Sequence, residues 1–390
     1  MLGMRTVPRL SIVTPSYNQA PFVAETIESV LSQEGEFEIE YFVMDGGSTD
    51  GSVEIIERYA DWVSRETWPV KCLGISMSWD SRRDNGQSDA INQGLRRATG
   101  DIVSYINSDD LYHPGAFQRV AAEFAARPEA DFVYGDGDVI DEAGGLQWEW
   151  LSRSYNHSVM TSYHFLWDEF TNYIMQQATF WRRSVLDKIG YFDELFHYAM
   201  DAEYWIRAGH VGLKLRHIPY KLGKFRLIQG TKSLSSPTVF WEDYLEIYRR
   251  YRGSRTLGIF FAYYYYNLAK YLDFNLEQTF ENGQRVFARW QMLSEEERRT
   301  LARQARRGRD LACLLVARDL LKRRLRKKAG VAFMQTISKR PLLVFHPLAA
   351  GYLLKRAAGP LFSSTLDEWS HQLIRWYRWK RFDYRYHQGK

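Results

Sequence analysis

Between residues 10 and 134, short runs of β-branched and aromatic side chains alternate with stretches whose apolar residues recur every third or fourth position. The period switches repeatedly between that of a strand and that of a helix, which predicts a mostly parallel α/β sheet with covering helices. The predicted strands are residues 10–14, 40–44, 102–106 and 131–134. Between them, residues 20–33 place Val23, Ile27, Val30 and Leu31 on one helical stripe, and residues 87–98 do the same with Ala90, Ile91, Leu95 and Ala98. Residues 135–150 read as an acidic turn with a short hairpin, whereas residues 155–180 are aromatic and irregular in period. Beyond Phe240 the period is helical almost throughout. There, Ser294 followed by Glu297 predicts a capping box at the head of a long helix, which Gly330 would close.

Charge divides the chain at the same place. Residues 1–240 carry 22 Lys or Arg against 33 Asp or Glu, whereas residues 241–390 carry 30 against 14. Two domains are therefore expected, residues 1–240 and a basic helical region over residues 241–390. Cys72 and Cys313, the only two cysteines, support neither a disulfide scaffold nor a cysteine-ligated zinc site. The first residues lack a secretory apolar run, and no apolar stretch reaches the roughly 18 residues of a spanning helix. The longest candidate, residues 341–354, is interrupted by His346, Pro347 and Gly351. A cytoplasmic protein is expected.

In an open α/β sheet, ligands collect beyond the carboxyl ends of the strands. The residues that follow the predicted strands are small or acidic: Thr14 to Asn18, then Asp45-Gly46-Gly47-Ser48-Thr49-Asp50-Gly51, then Asn107-Ser108-Asp109-Asp110. The glycine-rich stretch matches neither a dinucleotide fingerprint nor a P-loop, so hydride transfer and ATP hydrolysis are poor readings. A carboxylate pair after a buried strand suits Mg²⁺ or Mn²⁺, with substrate phosphates completing the shell. The same pair can equally cap the helix that Pro114 helps to start.

Taken in order, SIVTPSYNQAPFVAETIESVLSQ, YFVMDGGSTDGS, DNGQSDAINQGLRRATGDIVSYINSDD, QQATFWRRSVLDKIGYFDE, MDAEYWIRAG and FRLIQGTKSLS resemble the family-two inverting glycosyltransferases with the GT-A fold. The resemblance covers roughly residues 8–236. It implies a nucleoside-diphosphate sugar donor, a UDP-sugar favoured, a divalent cation, and a hydroxyl acceptor on a glycan, lipid-linked or protein molecule, in glycan or cell-surface polysaccharide synthesis. It further implies that Pro15 and Tyr17 line the nucleoside pocket, Asp45 bonds the base or ribose, and Asp84 sits at the base edge. Asp109 would lie by the ribose or metal, Asp110 would be the principal metal ligand on a surface cleft, and Asp201 would be the general base, with Glu203 its rival. Ser108 stands where the family's first DxD carboxylate belongs, and Met200 where its Glu belongs. Arg226 and Lys232 lie where a loop closes over the donor. Residues 372–376 match a QxxRW motif of processive synthases but stand far from Asp201, and are read as coincidence.

Thirteen Lys or Arg between Arg298 and Lys328 interleave with leucines, which describes an amphipathic basic helix. It packs on the catalytic domain, meets an anionic membrane from the cytoplasmic face, or binds another polyanion, nucleic acid being the least favoured. The tail residues Trp369, Trp376 and Trp379 suit an interface. Two rival functions remain open: a nucleotidyltransferase, which would carry a glycine-rich basic loop after the first strand, and a nucleotide-sugar- or polyanion-binding protein without transfer activity.

Overall fold

The first apolar run forms strand β1 (Arg9–Ser16), flanked in parallel by β2 (Glu38–Asp45) and β4 (Ile102–Tyr105), with β3 (Gly74–Ser81) outside β2. A strand paired on both edges and covered on both faces offers nothing to water, and Leu10, Ile12 and Val13 are fully buried. Parallel neighbours need crossovers, which α1 (Val23–Leu31), α2 (Ser52–Ser64) and α3 (Gln87–Arg97) supply. The buried stripe of α1 contains Val23, Ile27, Val30 and Leu31, as the periodicity predicts. Helix α3 lies so close to β1 that a Cβ on Gly94 would stand 2.5 Å from Val13 Cγ1. Only glycine permits that approach.

The computed structural model describes residues 7–161, 174–228, 237–346, 348–350, 352, 353 and 356. After β4 come β5 (Leu111–Tyr112), α4 (Ala116–Ala126), β6 (Phe132–Ile140), β7 (Leu146–Trp150), α5 (His157–Met160), β8 (Thr179–Arg182), α6 (Ser184–Ile189), α7 (Met200–His210) and β9 (Leu215–Arg226). The sheet runs β3-β2-β1-β4-β8-β6-β9-β5, with β7 also paired to β6. It is the α/β sheet with covering helices that the sequence predicts. The long ladders are parallel, while β8, β5 and β7 add antiparallel pairs.

The acidic stretch at residue 135 differs from expectation: strand β6 continues through Asp136 and Asp138 to Ile140, and the turn comes afterwards. Those carboxylates tolerate a strand interior because each has a nitrogen partner on the neighbouring strand. Asp136 Oδ1 lies 2.9 Å from His217 Nε2, and Asp138 Oδ1 lies 2.8 Å from Lys221 Nζ. Strands β3 and β9 escape a search for apolar runs because serines alternate through the first and basic residues through the second.

Contacts divide the chain into two units, Met1–Ile247 and Tyr248–Lys390, the division falling within helix α8 (Pro237–Arg252). In the second unit, α9 (Gly258–Tyr271) and α10 (Leu276–Asn282) precede α11 (Glu295–Lys322) and α12 (Arg326–Ile337). The Ser294 side chain accepts from Glu297 N at 3.3 Å, as the capping box requires. Leu301, Leu311, Leu314, Leu315 and Leu320 are buried, so the leucine stripe of this basic helix belongs to the core of its own unit.

Helix α11 stops at Lys322 rather than at Gly330, which lies inside α12. The stop is made by Arg324, whose φ of 62° is left-handed, while Leu325 N reaches back to Leu320 O at 2.8 Å. That bond pattern closes a helix, and arginine here takes the place glycine usually fills. No helix among the described residues is long and apolar enough to cross a membrane. Lys232, the tail tryptophans and residues 372–376 lie outside the described residues.

Candidate active site

The carboxyl ends of β1, β2 and β4 open onto a cleft of about 820 Å³. Pro15, Tyr17, Asp84 and Asp109 line it, together with Arg83 and Arg226. Two loops form one side. Asn18 N donates to Ser48 Oγ at 2.7 Å and Thr49 N donates back to Asn18 Oδ1 at 2.9 Å, which zips the loop after β1 to the loop after β2. Tyr17 stands out from this zipped edge, 63% exposed, with its ring free to meet a flat partner. Gly46 is the meeting point: a Cβ there would stand 2.9 Å from Asp84 Oδ2 and 3.3 Å from the Tyr17 ring.

Asp45 lies under this surface, 3% exposed. Its Oδ2 accepts from Gly47 N, Ser48 N and Ser81 Oγ at 3.0, 2.8 and 2.7 Å, and its Oδ1 accepts from Ser48 Oγ at 2.5 Å. Four donors account for the acceptor capacity of a carboxylate. Asp45 thus shapes the loop from below, and its side chain is turned away from the cleft.

The Asp109–Asp110 pair is split between surface and interior. Asp109 is a half-buried residue of the cleft wall, whereas Asp110 is fully buried. Asp110 Oδ2 accepts from Gln177 Nε2 at 2.8 Å and Asn107 Nδ2 at 3.0 Å, and its Oδ1 accepts from Arg226 N at 2.9 Å. A ligand simply displayed on a surface cleft is therefore the wrong picture for Asp110. Burial pushes the Asp109 carboxyl up to about 6. Burial, then the neighbouring Asp109 charge, push that of Asp110 well above the usual range. Two carboxylates held at such a cost form a donor set that a divalent cation would relieve. Among the described residues no group of three or more His, Cys, Asp or Glu is arranged for a metal, so phosphate oxygens and water would supply the other ligands.

Arg226 acts as a bolt. Its guanidinium, 1% exposed, donates to Asp109 O at 2.9 Å, Glu142 O at 2.8 Å and Glu25 Oε2 at 2.6 Å. With its donors so engaged it holds the cleft floor, and the exposed Arg83 is the more available cation for a diphosphate. Sequence reading assigned no role to Arg83, Asn107, Gln176 or Gln177. The available signal was two consecutive amides immediately before the buried Thr179–Arg182 strand, a position where polar side chains need partners.

Asp201 occupies the first turn of α7, half-buried, its Oδ1 accepting from Ala202 N at 2.7 Å. Burial first, and then the charge of Asp201, push the Tyr105 phenol at the end of β4 well above its ordinary value. Its neighbour Met200 meets Ser88 Oγ, next in sequence to the cleft residue Gln87. Glu203 is 1% exposed and pairs with Arg207 through both oxygens at 3.1 and 2.7 Å. Arg207 also ties down Ile189 O and Tyr191 O, so Glu203 serves the packing of its helix on that segment. Ala199, the residue before α7, has no capping side chain, and the chain entering the helix is held instead by Asp243 Oδ2 on α8, which accepts from Tyr198 N and Ala199 N at 2.8 and 3.1 Å.

Comparison with known proteins gives the family. The family described as Glycosyl transferase family 2 matches residues 11–190, and Glycosyl transferase family group 2 matches residues 102–377. An uncharacterized glycosyltransferase of Mycobacterium tuberculosis is 28% identical over 209 residues, 53% of this chain and 71% of that protein. A PGL/p-HBAD biosynthesis glycosyltransferase of Mycobacterium bovis is 29% identical over 202 residues, 51% of this chain and 69% of that protein. Among solved structures, S. aureus TarS 1–349 in complex with UDP-GlcNAc is similar at a TM-score of 0.48 and 18% identity, over 84% of this chain and 89% of that one. Because the match over residues 102–377 spans more than half of the sequence, the chain belongs to the family 2 glycosyltransferases.

Proposed function

We propose that this glycosyltransferase is inverting and cation-dependent, and that it moves a sugar from a nucleoside-diphosphate donor, a UDP-sugar favoured, to an acceptor hydroxyl on a glycan, lipid-linked or protein molecule. One observation carries the reading: Tyr17 of the zipped loop, Asp84 and Asp109 line a single cleft, Asp110 lies buried next to Asp109, and the helix that bears Asp201 meets Ser88 beside the cleft residue Gln87. Tyr17 would stack on the base and Asp84 would meet its edge, while Asp45 braces both loops from beneath. Asp109 and Asp110 would hold Mn²⁺ or Mg²⁺, which supplies positive charge against the diphosphate.

The chemistry is a single displacement. The acceptor oxygen bonds to the anomeric carbon, the bond from that carbon to the phosphate oxygen breaks, and the diphosphate leaves with the electron pair. The acceptor proton passes to the Asp201 carboxylate. Arg83 offers charge to the leaving group from the open side of the cleft.

The test is transfer from a panel of nucleotide sugars to simple hydroxyl acceptors, followed by NMR of the product's anomeric proton. The expected product has inverted configuration and its formation stops with chelator. Retained configuration overturns the single displacement, and turnover that survives chelation overturns the role given to the cation. Tight donor binding with neither transfer to any acceptor nor hydrolysis of the donor returns the binding-protein reading.

A further inference from the structure

The second unit carries a surface for which the transfer reaction has no use. Between Asp319 and Asp367 the sequence contains no acidic residue, and six of the seven residues 322–328 are Lys or Arg. Those six turn around the corner between α11 and α12, and all are exposed. A charge run is ordinarily a solvated face, and by itself this one would be no more than that.

The unusual feature is what lies next to it. The inner face of α12 buries Ala329, Ala332, Phe333 and Thr336, which completes its contribution to the core. Its outer face nevertheless presents Val331 and Met334, 59% and 56% exposed, on the stripe that begins at Lys327. Beyond the helix, Leu342 and Phe345 protrude at 82% each. Large aliphatic side chains left outside a finished core, framed by charge of one sign, mark an interaction surface.

We infer that the outer face of α12, with the turn at Pro341–Phe345 and the cationic corner of residues 322–328, docks on an anionic lipid surface. The cations meet headgroups, and the four aliphatic and aromatic side chains enter the boundary between headgroup and acyl chain, where their transfer from water is favourable. Nucleic acid would engage the cations and leave Val331, Met334, Leu342 and Phe345 in water. The surface is not the leucine stripe of α11, which is buried. The inference stands apart from the donor chemistry, and its failure would remove only the reason to favour a lipid-linked acceptor.

Flotation of the full chain with vesicles of phosphatidylcholine alone, or of phosphatidylcholine with phosphatidylglycerol, tests it. Recovery is expected with the anionic vesicles only, falling as salt rises. Each Lys or Arg near the leaflet changes partitioning roughly fivefold, so Arg326→Glu/Lys327→Glu/Lys328→Glu should reduce recovery to background. Val331→Ser/Met334→Ser/Leu342→Ser/Phe345→Ser should float at low salt and fail at physiological salt. Both variants should keep the parent's melting temperature and donor binding, which separates loss of docking from loss of fold. Equal recovery with neutral vesicles, no recovery with either, or undiminished recovery of the serine variant overturns the inference. So does duplex DNA or heparin binding that matches the parent's in the serine variant while vesicles recover nothing, since that is the signature of a plain polyanion site.

Discussion

The two units handle charge in opposite ways. In Met1–Ile247 the buried polar side chains include Asp45, Asp110, Asp136, Asp138, Glu203, Arg226 and Asp243. In the second unit no Asp, Glu, Lys or Arg among the described residues is fully buried, Asp310, Arg318 and Asp319 being half-buried, and the cations of residues 322–328 stand in solvent. A buried ionisable group must find partners, so its position is specified by many neighbours at once. An exposed cation needs none, and what it specifies is a field over a surface. The first arrangement builds a site and the second builds a face.

The comparison breaks most sharply at Asp201. Asp201→Asn keeps the shape of the first turn but cannot accept the proton, so kcat should fall by about 10² to 10⁴ with donor affinity nearly unchanged. Steady-state turnover beside calorimetric donor titration reads both. Glu203→Gln should instead lower the melting temperature, because it removes the carboxylate charge that pairs with Arg207 while Arg207 keeps the Ile189 and Tyr191 carbonyls, a loss of about 1–3 kcal/mol. Should Glu203→Gln lose turnover with its stability intact, the two carboxylates exchange roles.

Next comes the split carboxylate pair. Asp110→Ala should abolish cation-dependent nucleotide binding and also destabilise the fold by about 1–3 kcal/mol, since three donors lose their acceptor while relief from burying a carboxylate offsets part of the loss. Asp109→Ala should weaken binding with little change in stability. Equal melting temperatures for the two variants would contradict the division of the pair into interior and wall.

Asp243 joins stability to chemistry. Asp243→Ala removes the acceptor that holds Tyr198 N and Ala199 N at the entry to α7 and should cost about 1–2 kcal/mol. It should also lower kcat, because the fraying turn carries Asp201. Asp243→Asn, which can still accept both N–H groups, should restore most of the turnover; failure of that rescue would detach this hold from catalysis.

The smallest effect lies in the second unit, where Arg324→Gly relieves a left-handed arginine and should stabilise by about 1 kcal/mol, read from chemical denaturation. A destabilised variant would mean that the Arg324 side chain does more for the corner than its backbone costs.

Much of the architecture was legible in the sequence because strands buried on both faces and helices buried on one impose local periods. Leu10 to Val13 and the Val23 to Leu31 stripe are read without knowing what covers them. The ordered motifs pointed to Pro15, Tyr17, Asp84 and Asp109, and the fold brings these four to one cleft. Strand β9 was not legible, since its basic residues are satisfied by partners distant in sequence, and β3 was not, since its serines alternate through a half-exposed strand.

Residue type and order alone determined the family, the covering helices, the contrast of charge between the two regions and the candidate carboxylates. Only the tertiary structure decided that Asp45 faces its own loop, that Asp110 lies inside while Asp109 lies on the wall, and that Glu203 is bound to Arg207 while Asp243, 44 positions after Ala199, holds the entry to the helix of Asp201. It alone decided that the leucines of α11 are core and that the exposed apolar residues are those of α12 and the following turn. Periodicity is a local consequence of burial and can be read locally. The direction of a carboxylate depends on donors that the fold brings from distant segments, and no window along the chain contains them.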